Sequence, residues 1–302
     1  MTVSSHSSRK NNIVNALTFD VEDYFHVSAL SGVIRPDEWE QYDSGRVVVS
    51  TQTLLDLCAK HGHSATFFVL GWVAERYPQL VRDIQSAGHE IASHGWSHQL
   101  VYNQSEQVFR SEAERSKKLL EDITGVEVAG YRAASYSITP KSRWALDVLA
   151  ELGYQYDSSL FPVIHDRYGM PGTPFYPFVL KTEQGNQLIE FPLSTYGILG
   201  YRLPVSGGGY FRLFPYLLSR WCLSAINRRG KPFVFYLHPW EVDPDQPPVA
   251  VTGFSKFRHY NNLDVCSSRM VRLLKDFEFD TMRNVLERSN LMPSSRTEEV
   301  EN

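Results

Sequence analysis

Three cysteines in 302 residues, at positions 58, 222 and 266, are too few and too scattered for a disulfide framework or a cysteine-rich zinc cluster. Their odd number reads as free thiols of a reducing compartment. Also missing is any apolar run of about 20 residues that could cross a bilayer. No block of like charge occurs. Thirty basic against 34 acidic residues leave a formal charge of −4, so no basic surface recommends nucleic acid as a partner. The polar start, MTVSSHSSRKNN, has no apolar core of a secretory signal, and a cytoplasmic location is the expectation. No internal repeat and no clean linker marks a boundary. The simplest division is a loose leader at 1–12, one domain at 13–285 and a loose tail at 286–302.

What is present describes a globular chain, 42% hydrophobic and 13% aromatic. Strand-like and helix-like segments alternate. NIVNALTF, SATFFVLG, EIAS, VEVAGYRA and YQYDSS read as strands, and helical stretches such as STQTLLDLCAKHG and SEQVFRSEAERSKKLLEDITG lie between them. Beyond about residue 160 the rhythm weakens into Pro-, Gly- and aromatic-rich segments around a few strands, then resumes with FPYLLSRWCLSAINRRG and KPFVFYLHPWE. Such alternation predicts parallel strands with helices outside, an α/β fold best assembled as a (β/α) barrel. Reactive residues of such barrels sit at the C-terminal strand ends.

Those ends are polar at five places. Asp20, Glu22 and Asp23 follow the first strand. His94 and His98 follow EIAS, Arg132 ends VEVAGYRA, Asp157 ends YQYDSS, and His238 and Glu241 follow FVFYL. Each has an ordinary reading in isolation: a helix cap, a salt bridge, a turn or a core histidine. Their joint occurrence at five strand ends predicts one convergent site. Two histidines four apart, joined by a carboxylate, make a metal centre with open positions for water and substrate.

In order, LTFDVED, GHEIASHGWSH, YRAASYS, YDSS and FYLHP resemble the motifs of the polysaccharide deacetylases, the family 4 carbohydrate esterases. The likeness spans roughly residues 13 to 285. DVEDYFH, LHPWE and FRHYNNLD further resemble the branch associated with exosortase/PEP-CTERM exopolysaccharide loci. The resemblance implies a distorted seven-stranded (β/α) barrel that hydrolyses N-acetyl groups with a divalent metal, zinc in first place. It implies Asp20 as general base and Arg132 as the residue orienting it. It also implies His94 and His98 as ligands, His238 as general acid and Asp157 as the carboxylate holding that histidine. The substrate would be an N-acetylated polysaccharide or oligosaccharide, with peripheral association to an exopolysaccharide synthesis or export assembly at the inner membrane.

Two positions depart from the family pattern. Val21 stands where the metal carboxylate usually follows the base. Period-2 alternation puts Glu22 on the side of Asp20, so Glu22 is the first choice of ligand and Asp23 the second. Gly95 replaces the usual Thr or Ser after the first histidine. Tyr136, Tyr210, Phe211 and Trp240 are the expected sugar contacts, with ordinary loop packing as the competing reading. Two alternatives remain open: a related barrel acting on a small cyclic amide, and a non-catalytic carbohydrate-binding barrel.

Overall fold

The computed structural model describes residues 13–165, 168–198 and 200–293. The expected leader and residues 294–302 of the expected tail lie outside them.

Eleven strands are present among these residues: β1 (Val14–Val21), β2 (Thr66–Val69), β3 (Glu90–Ser93), β4 (Gly130–Tyr131), β5 (Tyr156–Asp157), β6 (Phe178–Lys181), β7 (Gln187–Glu190), β8 (Thr195–Ile198), β9 (Tyr201–Pro204), β10 (Val234–Leu237) and β11 (Glu278–Asp280). Seven of them lie edge to edge in the order β10-β1-β2-β3-β4-β5-β7, every pair parallel. β6 returns antiparallel along β7, β11 pairs with the start of β1, and β8–β9 form a separate hairpin. Between β7 and β10 in this order lie residues 191–194 and 205–207, which flank the β8–β9 hairpin and are joined by single hydrogen bonds. Val205 N–H donates to the Ser194 carbonyl at 3.2 Å, and Tyr236 N–H to that of Ser206 at 2.7 Å. Gly207 makes the last approach: a Cβ there would stand 1.9 Å from the Tyr236 carbonyl oxygen, and its φ is +134°.

β1 is buried along nearly its whole length, as expected of a parallel strand covered on both faces. Its odd-numbered Leu17, Phe19 and Val21 join the main core with helix residues such as Leu54, Cys58 and Ile84. Its even-numbered Ala16 joins Phe68, Ala92, Tyr156 and Tyr236, inward residues of other strands. That second cluster is completed by Met282, Val285 and Leu286 of the helix Met282–Arg288. The folded part therefore runs past the expected boundary at 285, because Leu286 is fully buried.

The parallel α/β architecture agrees with the sequence expectation. Three details differ. The helix expected from Ser50 begins at Arg46, behind Gly45 in a left-handed conformation. The strand expected over 126–133 is reduced to Gly130–Tyr131. The helix Gly253–Tyr260 was not anticipated.

Candidate active site

The inward row of β1, Ala16–Thr18–Asp20, runs from apolar to acidic toward the C-terminal strand end. Asp20 is only 1% exposed. Arg132, just beyond β4 and itself fully buried, donates from Nη1 to Asp20 Oδ1 at 2.6 Å and to Thr18 Oγ1 at 2.8 Å. The guanidinium also donates to the Ser158 hydroxyl and carbonyl. Tyr136 donates its phenol to the other Asp20 oxygen at 3.3 Å. To aim there, Ser135 and Tyr136 both adopt positive φ, 51° and 55°. Two consecutive non-glycine residues in that region are a strained backbone of the kind held at functional sites.

One turn of chain further, Glu22, His94 and His98 bring a carboxylate oxygen and two ring nitrogens within 4.8 Å of one another. His94 Nδ1 is bound to the Arg132 carbonyl at 2.8 Å, which leaves Nε2 as its ligand atom. His98 is delivered by a backbone that turns left-handed at Gly95 (φ +73°) and at His98 itself (φ +53°). Glu22 Oε2 lies 2.6 Å from His98 Nε2, yet this buried oxygen has no partner of hydrogen-bond geometry. One carboxylate and two imidazoles whose ligand atoms lie within 4.8 Å of one another are a donor set that fits a single divalent cation. Burial opposes ionisation of Glu22, but His98, His238 and His94 outweigh it and hold the carboxyl well below its usual range. Burial pushes His94 down to about 4, so it is a neutral ligand at pH 7.

Asp23, the second choice of ligand, is outside this cluster. It caps the short turn Tyr24–His26: one oxygen accepts from Tyr24 N–H at 2.7 Å and the other from Val47 N–H at 2.9 Å. Burial raises it to about 6.

His238 follows β10. Its Nε2 stands 3.5 Å from Glu22 Oε1 and 3.9 Å from Asp20 Oδ2. Asp157 does not hold it, contrary to expectation. Asp157 accepts from the backbone and hydroxyl of Ser159 and interacts with Glu190, its register partner on β7. Glu241 takes that place, with Oε1 2.7 Å from His238 Nδ1. The short turn Pro239–Val242 sets the two residues three apart on one face. Burial disfavours a charged His238, but the hydrogen bond to Glu241 and the nearby carboxylates overcome this and lift it to about 9. Arg212 completes the group, donating from Nε to Glu241 Oε2 at 2.6 Å.

Glu241 was visible in the sequence as a strand-end acid without a task. Arg212 had one weak signal, a lone cation inside the aromatic run YFRLF.

The centre opens into a cavity of about 760 Å³ lined by Asp20, Glu22, His98, Tyr136 and His238. Tyr210 lines it as expected, its hydroxyl 3.1 Å from that of Tyr168. Of the other two expected sugar contacts, Phe211 is withdrawn into the core, whereas Trp240 lines the cavity with both faces of its ring covered. Phe211 is 2% exposed and packs edge-on against Phe235 in the core. Trp240 has its ring stacked between His238 and His259, centroids 5.3 Å and 4.6 Å away, so neither face is free.

Together these features define an α/β protein with a two-histidine, one-carboxylate centre flanked by an arginine-bound carboxylate and a glutamate-bound histidine. Residues 39–156 match the family model described as polysaccharide deacetylase, and residues 158–287 match one described as a domain of unknown function (DUF3473). A chitooligosaccharide deacetylase of Sinorhizobium fredii is 40% identical over 76 residues, 25% of this chain and 35% of that protein. A peptidoglycan deacetylase of Helicobacter pylori is 31% identical over 132 residues, 42% of this chain and 40% of that one. The chain thus spans well under half the length of these relatives. Residues 39–156 are thus similar to the polysaccharide deacetylases. Among solved structures, one from Mycobacterium smegmatis described as belonging to the polysaccharide deacetylases superposes with a TM-score of 0.61 at 20% identity, covering 100% of this chain and 99% of that one. The allantoinase Puue gives 0.61 at 13% identity, covering 94% and 93%. Both share the fold.

Proposed function

We propose that the chain is a metal-dependent N-deacetylase of an acetylated glycan, releasing acetate and leaving a free amine on the sugar. The observation that carries this reading is the convergence of Asp20, the Glu22–His94–His98 cluster and His238 at one cavity, with Asp20, Glu22, His98 and His238 in its lining. Amide hydrolysis needs an activated water, stabilisation of a developing oxyanion, and a proton for a poor leaving group.

The chain's own groups cover the proton transfers. Asp20, oriented by Arg132, accepts a proton from the attacking water. His238 donates from Nε2 to the amide nitrogen as the C–N bond breaks. A divalent ion held by Glu22, His94 and His98 would polarise the acetyl carbonyl and acidify water, and two imidazoles with one carboxylate suit zinc. Tyr210 at the cavity wall is a sugar contact in this reading. An exopolysaccharide substrate finds its support in DVEDYFH, LHPWE and FRHYNNLD. No helix among the described residues is long and apolar enough to cross a membrane.

The test is acetate release from N-acetylglucosamine oligomers by the purified chain, with metal content measured in parallel. About one divalent ion per chain, activity lost on chelation and restored with zinc, and loss with Asp20→Asn support the reading. Bound metal without acetate release from any acetylated glycan, or turnover of a cyclic amide instead, overturns it.

A further inference from the structure

We propose that the region 158–287 supplies the acid half of the catalytic centre, with Arg212 holding Glu241 and Glu241 acting as the positioning residue that aims His238 at the leaving nitrogen. The inference rests on the deacetylase reading and assigns a task to the region that matches a family model described as a domain of unknown function.

The division of labour follows the chain. Asp20, Glu22, His94, His98 and Arg132 all precede residue 158. His238, Glu241, Arg212, Trp240, Gln246 and His259 all lie after it. The first half thus carries the base and the ligand cluster, and the second carries the acid with the residues packed behind its ring.

Glu241 grips His238 at two points. Its Oε1 accepts from the His238 backbone N–H at 3.2 Å and sits 2.7 Å from Nδ1. An ionised carboxylate only accepts, so Nδ1 carries a proton and Nε2 is the ring atom turned to the cavity. The other carboxylate oxygen is bound by Arg212 Nε at 2.6 Å. The rest of this guanidinium is spent on carbonyls: Nη1 donates to His259 and Asn261 at 2.9 and 2.6 Å, and Nη2 to Arg258 at 3.0 Å. Arg212 is 1% exposed and Glu241 fully buried. A buried ion pair is a poor device for stability alone, since apolar replacement is often neutral or favourable. Its value here is a fixed acceptor behind the histidine.

A second restraint comes from ring stacking. Trp240 lies between His238 and His259 at interplanar angles of 22° and 17°. Gln246 locks the outer ring: its Oε1 is 2.6 Å from His259 Nε2, and its amide donates to the Trp240 and Asp243 carbonyls. The indole Nε1 then reaches across to Glu22 Oε1 at 3.3 Å, joining the acid half to the ligand cluster. Carboxylate and stack together leave the His238 ring little freedom.

The experiment exploits the leaving group. An amine leaves only when protonated, whereas 4-nitrophenolate leaves without help. The zinc-loaded full chain and its Glu241→Gln and Glu241→Asp variants are assayed on N-acetylglucosamine oligomers and on 4-nitrophenyl acetate. Glu241→Gln is expected to lower kcat on the oligomer about 100-fold or more, with KM, metal content and ester hydrolysis within about twofold of wild type. Glu241→Asp is expected to recover part of the loss. Because the single variant leaves Arg212 without its carboxylate, Glu241→Gln/Arg212→Met removes both charges together and should show the same selective loss. Equal losses on amide and ester, or an unchanged kcat on the oligomer, overturn the proposal. A wild type inactive on every acetylated glycan strikes the deacetylase reading itself, a result distinct from either.

Discussion

Arg132 joins two strand ends by donating to Asp20 Oδ1 at 2.6 Å, with both side chains out of contact with solvent. Removing the cation alone would leave a buried carboxylate unpaired. Arg132→Met is expected to cost about 3–5 kcal/mol of unfolding free energy. Adding Asp20→Asn should restore much of that stability and none of the activity. Urea unfolding checks this, and a single variant as stable as wild type would count against the pairing.

Metal binding should distinguish Glu22 from its neighbour Asp23, whose oxygens are occupied by Tyr24 and Val47 N–H groups. A ligand that binds only the folded state raises its melting temperature. Zinc is therefore expected to stabilise wild type and Asp23→Asn alike, and Glu22→Gln at least about tenfold more weakly in apparent Kd. Thermal melts across a zinc titration read the difference. Equal responses from the two variants would place the ligand elsewhere.

Asp157 and Glu190 face each other in register on β5 and β7, both fully buried. Burial and then the Asp157 charge push Glu190 well above its ordinary 4.5. The folded state therefore keeps a proton that the unfolded chain gives up near 4.5. The folded state is favoured below that value and loses stability as pH rises toward the folded value. Urea midpoints between about pH 5 and pH 9 should fall for wild type and fall less for Glu190→Gln. Parallel profiles would show that the pair does not hold the proton.

Gly95 is glycine for a reason of backbone shape. Its φ is +73°, and an added Cβ would lie 3.1 Å from the Tyr131 hydroxyl. Gly95→Ser is expected to destabilise by about 1–2 kcal/mol and to weaken zinc binding through the displaced turn to His98. An unchanged melting temperature with tighter zinc binding would contradict this.

The strand–helix rhythm and the polar strand ends were legible because both are local. A buried parallel strand is a run of largely apolar residues, and β2 and β10 are such runs. Alternation along β1 favoured Glu22 over Asp23, and Glu22 is the one that lies beside His94 and His98. The carboxylate behind His238 was not legible. Asp157 and Glu241 both end a predicted strand, and only the path of the chain after β10 decides which one meets the ring. Phe211 and Trp240 looked like sugar platforms because an aromatic in a glycine-rich or polar segment carries no mark of which of its faces is covered.

From sequence alone came the candidate residue types of the site: an acid ending the first strand, a His-x3-His pair, an arginine, and a late histidine. Periodicity and composition are short-range properties, and they place side chains relative to their own backbone. Tertiary structure alone assigned partners, since Arg212 meets Glu241 across 29 residues and Arg132 meets Asp20 across 112. Such pairings depend on which strand ends pack together and which charges remain buried, and the cost of an unpaired buried charge selects the arrangement that satisfies them all.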